Sequence, residues 1–596
     1  MTHPSRLHTD PRSYKLDARF FKRMYSLARP YWTRQGAWRS WIVLVVLLVL
    51  VAAFNVFGAY FSFLTRDQTN ALVARKVPEF WHLLALSMLY MGVRHGSSML
   101  QAYLSGRLNL HWRQWLTTEL VDRYLDRRTY YEITIDQQID NPDQRIQEEV
   151  APFCSIVTAV PFQLIGTITD ISVQAVILMT ISKSLFAAVL VFAIIKTLVI
   201  LRLYQPTIKQ HYDITVSEAD LRYGLLHVRD NAETVAFYRG EFAERVQVLD
   251  RLKTTMRKHM VVVLYAIRMA LVQNGLAMGW TLLPILFLTP MYFAHEIEYG
   301  VIAQGSTCAA AVLLSLSVVM NFLPLMTSAV PKVVRLAEIQ EKFEELGRAR
   351  ESAADAPRIG FAVGNGIELE DVSVQTPRGE QHLVRELSLK LRPGEHLVIV
   401  GRTGVGKSSL LRAVAGLWTR GEGRITMPSP DDALFLPQRP YMILSDLRSQ
   451  LLYPRRRDDL TDADLQAILE RVCLGDLAEQ HGGFDAEKDW GRVLSLGEQQ
   501  RIGFARALVA QPRFIFLDEA TSAVDVETER LLYGLLARSK ATFISVGHRP
   551  TLLDYHVTAL RLLPKGEWEV IPARRARMDG RDGDVRLDEA SGLGVA

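Results

Sequence analysis

Cysteine is scarce in this sequence of 596 residues, which contains three: Cys154, Cys308 and Cys473. Their wide separation fits neither a structural metal site nor a disulfide framework, and it favours a reduced or membrane-buried setting. An excess of charge is lacking too, because the formal net charge is only +5. So small an excess gives little support for binding to nucleic acid, and we predict no nucleic-acid partner.

The N-terminus lacks the pattern of a cleavable signal peptide. Its basic residues are scattered along positions 1–40, whereas a signal peptide has a short basic region directly before its apolar core. We therefore expect 1–40 to be a cytosolic segment. Within it, the stretch 17–32 mixes aromatic and basic residues at roughly helical spacing. This pattern predicts an interfacial helix on the membrane, although a soluble surface helix has the same pattern.

Apolar residues make up 49% of the chain and charged residues 22%, but the two halves differ. Long apolar runs fill 1–330, whereas the remainder has the composition of a soluble α/β protein. A chain of this length exceeds a single domain. The sequence therefore predicts a membrane α-helical domain followed by a soluble α/β domain.

The clearest apolar run is 41–64. Its length of about 24 residues, at about 1.5 Å each, is enough to cross a bilayer core of about 30 Å. Five further candidate spans follow: 81–104, 153–181, 185–204, 260–288 and 301–330. We therefore predict six transmembrane helices in a multi-pass membrane domain covering 41–345, which makes the lipid bilayer a partner.

The distribution of lysine and arginine between the spans predicts the orientation. About nine precede the first span, about six lie in 105–150 and about ten in 205–260, whereas the alternate loops hold about three, one and none. The excess of positive charge marks the cytosolic side. Both termini and the two long loops are therefore expected in the cytosol, and the helical pattern of the loops predicts membrane helices that project beyond the bilayer.

Four ionisable residues lie within or near the predicted spans: Arg94, Asp170, Lys196 and Arg268. A charge at membrane depth is costly, so each is expected to face a partner or a water-filled cavity. Asp170 could pair with Lys196, or Lys196 could extend to the membrane interface.

The stretch GRTGVGKSS, 401–409, follows an apolar strand-like run and opens a helical pattern. Glycines let backbone N–H groups surround a phosphate, the helix N-terminus adds a positive dipole, and Lys407 adds a full charge. This context is the one that a phosphate-binding Walker A loop requires. The predicted nucleotide contacts are Gly401, Arg402, Thr403, Gly404, Val405, Gly406, Lys407, Ser408 and Ser409.

Further motifs follow at LFLPQRPYM, LSLGEQQR, FIFLDEATSAVD and FISVGHR. The apolar strand FIFLDE ends in Asp518, placed to hold Mg²⁺ with Ser408, and in Glu519, placed to polarise an attacking water. Gln438 is expected to touch both the metal and that water. We expect His548 to bind the γ-phosphate, so the predicted catalytic residues are Glu519, His548 and Gln438.

Taken in this order and spacing, the motifs resemble the ATPase domain of ABC transporters. The resemblance implies ATP and Mg²⁺ as cofactors, and it implies that Ser495, Gly497 and Glu498 of LSLGEQQ complete the nucleotide site of an opposite subunit. One P-loop and one such signature occur in the chain. Two copies must then pair head to tail, so we predict a homodimer.

One feature departs from the family pattern: the aromatic residue expected to stack on adenine near Thr376 is missing. The ATPase domain is placed at 367–570. A polar linker at 346–366 precedes it, and a tail at 571–596 that we expect to be disordered follows it.

Several segments, among them IDNPDQRIQEEV, GLW after the P-loop and LSLGEQQRIGFARAL, resemble the SbmA/BacA-like bacterial transporters and the related subfamily D transporters. The resemblance implies an exporter-type (type IV) fold and a coupling loop formed by Glu218 and 231–238. It further implies uptake of a bulky hydrophilic small-molecule or peptide solute, such as cobalamin or antimicrobials, across the bacterial cytoplasmic membrane. Two other functions remain open: export of lipid-like or acyl substrates, and a membrane-anchored regulatory ATPase.

Overall fold

The structure is a computed structural model, and it describes residues 18–136, 139, 141–351, 358–376, 381–454, 459–547 and 549–576. Within 316–324, and at 208, 212, 327, 328 and 351, it describes the backbone alone. The chain divides into two compact units, Met1–Glu351 and Ser352–Ala596. The predicted catalytic residue His548, and most of the predicted tail, lie outside the described residues.

The first unit is helical. Its helices are α1 (Ala18–Thr33), α2 (Trp38–Val73), α3 (Val77–Leu125), α4 (Thr129–Asp136), α5 (Pro142–Ile181), α6 (Lys183–Asp230), α7 (Ala232–Tyr238), α8 (Glu241–Phe293) and α9 (Tyr299–Glu351). The six predicted spans lie on the six long helices α2, α3, α5, α6, α8 and α9, in that order.

Four of these helices, α2, α5, α6 and α8, are long and apolar enough to cross a membrane. Within the described residues, α9 adds the shorter apolar stretch Tyr299–Ser315. On α3 the predicted span is diluted by small and polar residues around Arg94. The membrane-helical fold is therefore confirmed, while the count of six spans stays a prediction.

The helix α1 divides its apolar residues between two faces. Phe20, Leu27 and Tyr31 are buried in a core shared with α3, α5 and α9. Phe21 and Tyr25, by contrast, are exposed. Protein therefore covers one side of the helix that we predicted to lie on the membrane, and only the outer side is free to contact lipid.

The helices α5 and α9 are joined by two ion pairs. Arg145 Nη1 lies 2.7 Å from Glu338 Oε2, and Arg335 Nη1 lies 3.0 Å from Glu149 Oε1. The pairing order shows that the two helices run antiparallel. The Arg145 side chain is buried, so its partner is essential: a buried charge left alone is strongly destabilising.

The helices α6 and α8 form a hairpin that ends in α7. They contain 48 and 53 residues, so each spans about 70–80 Å, more than twice a bilayer core. Glu218 Oε1 lies 3.0 Å from His259 Nε2 and so ties α6 to α8. Glu218 precedes Asn231 by about 20 Å of helix, so it lies on the shaft of the hairpin and not in the tip, where the resemblance would place it.

The hairpin exposes large apolar side chains between the predicted membrane spans 185–204 and 260–288. They include Tyr223, Leu225, Phe237, Tyr238, Phe242, Val246, Leu249 and Met256. Phe237, Tyr238 and Phe242, at and beside α7, are 80%, 83% and 79% exposed. Exposed apolar side chains clustered at the tip of a hairpin are suited to a protein–protein contact.

The described part of the second unit contains three β-sheets. The strands are β1 (Gly360–Val363), β2 (Ile367–Gln375), β3 (His382–Leu391), β4 (Leu397–Val400), β5 (Gly421–Met427), β6 (Ala433–Leu436), β7 (Ser445–Asp446), β8 (Glu487–Lys488), β9 (Phe514–Asp518), β10 (Thr542–Val546), β11 (Thr558–Leu562) and β12 (Trp568–Pro572). The larger sheets have the orders β1-β5-β2-β3 and β12-β11-β4-β10-β9-β6, and β7 pairs with β8.

The helices of this unit are α10 (Lys407–Val414), α11 (Leu447–Leu452), α12 (Asp462–Arg471), α13 (Leu477–His481), α14 (Trp490–Val493), α15 (Leu496–Ala510) and α16 (Val526–Arg538). One core lies between the two larger sheets and α10. A second core joins α11, α12, α15 and α16 to β9 and β10. The α/β prediction for this half is confirmed.

The polar stretch 346–366 differs from the linker that we expected. The helix α9 continues to Glu351, and β1 already pairs in parallel with β5 through Gly360 and Arg424. At the other end, β12 extends to Pro572, inside the predicted tail. Main-chain pairing orders 360–363 and 571–572, which composition alone classified as irregular.

A buried polar chain lies beside the end of β10. The Tyr533 hydroxyl contacts Ser545 Oγ at 3.2 Å, and Ser545 Oγ contacts His556 Nε2 at 3.0 Å. His556 Nδ1 lies 2.6 Å from the Leu552 carbonyl oxygen, so the neutral ring donates there and accepts from Ser545. Burial, reinforced by the charge of His396, lowers the pKa of His556 to about 4.

This histidine should make the stability of the protein depend on pH. The folded pKa of His556, about 4, lies below the ordinary histidine value of 6.5. Its contribution to stability is therefore complete above about pH 6.5 and is lost as the pH falls toward 4, by about 3 kcal/mol in total. Thermal unfolding of the wild type and of His556→Gln is compared between about pH 7.5 and about pH 5. The wild-type midpoint should fall more steeply, and parallel slopes would contradict this account.

Candidate active site

The carboxyl ends of four parallel strands meet at one edge of the six-stranded sheet. β10 pairs with β4 through Val546 and Ile399, and with β9 through Val546 and Asp518. β6 pairs with β9 through Leu436 and Leu517. The loops that leave β4, β6 and β9 therefore lie side by side, as expected for ligand sites in α/β sheets.

The loop after β4 has the backbone of a phosphate cradle. Gly401, Gly404 and Gly406 have φ values of 149°, 83° and 110°. Residues that carry a side chain rarely adopt these positive φ values, whereas glycine does so readily. A Cβ at Gly401 would also lie 2.6 Å from the Leu562 carbonyl oxygen. Backbone conformation therefore favours glycine at all three positions, and lack of space adds a second reason at Gly401.

Lys407 folds back over this loop. Its Nζ donates to the carbonyl oxygens of Gly401 and Arg402 at 2.8 and 3.1 Å. Its positive charge thus lies above the loop and at the N-terminus of α10, where an anion is stabilised. Of the other predicted loop contacts, Arg402 and Thr403 are exposed, while Val405 and Ser409 are half-buried.

Two of the predicted metal ligands touch. The Ser408 hydroxyl donates to Asp518 Oδ1 at 2.9 Å, which links the start of α10 to the end of β9. Burial raises the pKa of the Asp518 carboxyl above its ordinary value, although Ser408, Arg412 and Lys407 oppose the rise. A hydroxyl and a carboxylate beside a phosphate cradle are oxygen donors that suit Mg²⁺.

The third predicted ligand, Gln438, contacts a different carboxylate. Its Nε2 donates to Glu519 Oε2 at 3.2 Å. Glu519 lies in the left-handed region with φ of 48°, and its N–H donates to the Val546 carbonyl oxygen at 3.0 Å. The loop after β6 and the end of β9 are thereby joined, which brings two of the three predicted catalytic residues together.

The predicted signature residues cap α15. The Ser495 hydroxyl accepts from the Glu498 N–H at 3.3 Å, and Glu498 Oε2 accepts from the Ser495 N–H at 2.8 Å. Although burial alone would raise it, hydrogen bonds from Ser495 hold the pKa of the Glu498 carboxyl below its ordinary value. In this structure Ser495 and Glu498 are thus bound to each other.

The presence of glycine at position 497 has a steric reason. A Cβ at this position would lie 2.8 Å from the Ala523 carbonyl oxygen, in the loop after β9. The neighbouring Leu496 is exposed, so that position tolerates a large side chain. The close approach of α15 to the Ala523 loop therefore requires glycine at position 497, whereas position 496 can hold a large side chain.

Sequence reasoning missed Gln500, which is 1% exposed on α15. Its Nε2 donates to the Gln438 carbonyl oxygen at 2.8 Å and to Ser522 Oγ at 3.0 Å. Its Oε1 accepts from the Ala523 N–H at 2.9 Å. One side chain thus holds both loops that flank Glu519. The sequence signal was slight: a second glutamine in LSLGEQQ, without a periodic pattern to distinguish it.

Arg549 holds the same loop from the opposite side. Its Nη1 donates to the Val524 carbonyl oxygen at 2.9 Å, and its Nη2 donates to the Ser522 carbonyl oxygen at 3.0 Å. The fully buried Glu529 lies 3.2 Å from the same guanidinium and accepts from Thr521 Oγ1 at 2.7 Å. The segment 522–524 is therefore fixed relative to Glu519.

The turn where an adenine-stacking aromatic was expected joins β2 to β3. The Thr376 N–H donates to the Gln381 carbonyl oxygen at 3.0 Å. Residues 377–380, between them, lie outside the described chain.

Two family models match this chain. The first, described as ABC transporter transmembrane region 2, covers residues 30–293, and the second, described as ABC transporter, covers residues 384–522. The chain belongs to the ABC transporter family. It is a half-transporter, with one membrane domain fused to one ATPase, and the resemblance inferred from its motifs is confirmed.

Alignments with known relatives cover nearly the whole half-transporter. An uncharacterised ABC transporter ATP-binding protein of Synechocystis is 40% identical over 90% of this chain and 82% of its own length. The chloroplastic ABC transporter D family member 2 of Arabidopsis thaliana is 32% identical over 91% and 86%. A lysosomal cobalamin transporter of Homo sapiens is 30% identical over 94% and 97%. The half-transporter is thus a multi-pass membrane protein that couples ATP hydrolysis to transport.

Gln500 should matter for turnover. Gln500→Leu leaves the Gln438 carbonyl, Ser522 hydroxyl and Ala523 N–H without this partner, and each buried loss costs about 1–3 kcal/mol. We expect ATP hydrolysis to fall by about tenfold or more, because both loops beside Glu519 are released. The measurement is steady-state phosphate release.

The matched control is Gln466→Leu on α12, which removes one hydrogen bond to the Gly475 carbonyl oxygen, away from these loops. Equal hydrolysis rates for the two leucine variants would show that Gln500 does not position the site.

Proposed function

We propose that this half-transporter acts as a homodimer that moves bulky hydrophilic solutes, such as cobalamin, peptides and hydrophilic antimicrobials, across a bacterial cytoplasmic membrane by ATP hydrolysis. The direction proposed is uptake, with both termini and the ATPase in the cytosol. The observation that carries the proposal is the meeting of Lys407, Ser408, Asp518, Glu519 and Gln438 at one sheet edge. Export of lipid-like substrates is the second candidate.

Each residue has a distinct role in the proposed site. Lys407 and the N–H groups of the glycine loop hold the ATP phosphates. Ser408 and Asp518, together with Gln438, would hold Mg²⁺, which would neutralise phosphate charge there. Glu519 accepts a hydrogen bond from the attacking water and polarises it, and Gln438 keeps the Glu519 carboxylate in place. His548 stays a predicted γ-phosphate ligand.

Two features of the described chain support the proposed homodimer. The described chain shows no hydrogen bond between Ser495 and the P-loop, 401–409. A head-to-tail pair would place the Ser495 region of one copy on the P-loop of the other. The exposed apolar surface of the α6–α8 hairpin supports the same arrangement, since a second copy would cover it.

The solute class rests on polar groups within the membrane helices and on the cobalamin-transporting relative. Asn55, Asp170 and Gln304 lie between helices inside predicted spans. Gln304 is buried and the other two are half-buried, and polar groups at membrane depth favour a wet path over a lipid path. The lipid-like alternative draws on a different feature, a cavity of about 350 Å³ between α5, α6 and α9 with a lining that is almost wholly apolar.

Replacing Glu519 by Gln should lower ATP turnover by about a hundredfold or more while ATP binding survives, because the amide cannot polarise water as the carboxylate does. Lys407→Ala should instead weaken ATP binding itself. Phosphate release and binding of a fluorescent ATP analogue separate the two effects. Glu527→Gln, the same change at an exposed site on α16, serves as the control. Normal turnover in Glu519→Gln would remove Glu519 from the mechanism.

The proposed sharing of each nucleotide site between two subunits can be tested with a mixed dimer whose subunits carry different substitutions. One subunit carries Lys407→Ala and the other carries Ser495→Arg, with different affinity tags to purify the mixed pair. In a head-to-tail dimer both defects fall on the same site, so the second site stays intact. We expect hydrolysis roughly tenfold or more above that of either homodimer.

The control pair places both substitutions in one subunit beside a wild-type subunit, which damages both sites. If the mixed pair is no more active than this control, each chain completes its own site and the proposed dimer is wrong.

A further inference from the structure

A polar stripe runs along the membrane part of α5. It consists of Gln163, Thr167, Asp170 and Gln174, spaced by four, three and four residues, so the four positions share one face of the helix. On the opposite face, Leu164, Ile168, Val176 and Met179 are exposed apolar side chains suited to lipid. The polar stripe therefore faces the interior of the helix bundle.

The charged member of the stripe lies near the middle of the membrane. Asp170 precedes the end of α5 by 11 residues, or about 16 Å, roughly half of a bilayer core. A carboxylate at this depth is costly and is retained where it has a partner or a function. At this depth in the membrane, the Asp170 carboxylate therefore requires a binding partner.

The partner seen in the structure is neutral. The Ser315 hydroxyl of α9 donates to Asp170 Oδ2. Asp170 and Lys196 form no salt bridge, so the pairing considered from the sequence does not occur between these two described residues. Within the described chain, Asp170 thus accepts a hydrogen bond without a neutralising cation.

The neighbouring turn of α5 adds a second acceptor. Gln174 is 5% exposed, and its Oε1 finds no hydrogen-bond partner in the described structure. It follows Asp170 by four residues on the same face, about 6 Å along the helix. Among the described residues, Gln163 Oε1 is also without a partner, about two turns from Asp170 in the other direction. Buried oxygens of this kind normally have donors. Within the described residues, these two amide oxygens therefore lack donors and the Asp170 carboxylate lacks a paired cation.

Contacts across the bundle hold the stripe in place. The Asn55 amide of α2 donates to the Gly166 carbonyl oxygen at 2.7 Å and to Thr169 Oγ1 at 2.6 Å. A Cβ at Gly166 would lie 3.3 Å from Val51 Cγ1, so α2 and α5 approach closely here. α5 is therefore fixed between α2 and α9 at the level of Asp170.

We propose that Asp170, with the amide oxygens of Gln174 and Gln163, is an intramembrane site that binds the ammonium or guanidinium groups of a cationic solute. A cation with several N–H donors supplies both the missing charge and the missing hydrogen bonds. The inference rests on the proposed transport of hydrophilic solutes and specifies which of them this site selects.

The test uses the full chain in proteoliposomes supplied with ATP. Two radiolabelled probes are compared: a short arginine- and lysine-rich peptide, and cyanocobalamin, which lacks the clustered cationic groups. For Asp170→Asn, the ratio of peptide transport to cobalamin transport should fall by about tenfold, because hydrogen bonds to charged groups are the stronger ones. Asp170→Glu, which keeps the charge, should retain the wild-type ratio.

Two further variants separate binding from structure. Asp67→Asn removes the same charge at the exposed far end of α2 and should leave the ratio unchanged. Ser315→Ala removes the α5–α9 hydrogen bond but keeps the carboxylate, so it should also preserve the ratio. If Ser315→Ala reproduces the effect of Asp170→Asn, or if Asp170→Asn leaves the ratio unchanged, the site does not bind cations. If the wild type moves neither probe, the proposed function fails instead.

Discussion

The parallel pairing of β4, β10 and β9 is the constraint on which the ATPase half depends. Because the strands run in the same direction and in register, their carboxyl ends bring the P-loop and Asp518 to one edge. The hydrogen bond from Ser408 to Asp518 then closes the gap between α10 and β9. A shift in either ladder would separate the phosphate cradle from the acidic residues, although every residue would still be present.

The loops around that edge are held by buried polar side chains more than by apolar packing. Gln500 and Arg549 contact the segment 522–524 from opposite sides, and Glu529 balances the charge of Arg549. Such networks stabilise one arrangement strongly when every member has a partner. They give the proposed catalytic carboxylate, Glu519, a fixed frame while the loops themselves remain near the surface.

The membrane half combines two kinds of polar interaction with different physical consequences. Near the helix ends that we predict to face the cytosol, charged groups are paired, as Arg145 is with Glu338. Deeper in the bundle, Asp170 is bound by a hydroxyl and Asn55 by Thr169. Neutral hydrogen bonds join helices without cancelling charge, which leaves a carboxylate where a passing cation could meet it.

Short contiguous patterns in the sequence determined the P-loop, the acidic strand end at Asp518 and Glu519, the signature and the first membrane span, because each depends on local backbone chemistry or on the length of one apolar run. Only the tertiary structure showed that Gln500 joins two loops, that Gly497 is needed beside Ala523, that Glu218 lies on the hairpin shaft, and that Asp170 meets Ser315 in place of Lys196. These features depend on contacts between residues that are far apart in the chain. A local sequence pattern does not encode which distant residue will pack against a given side chain.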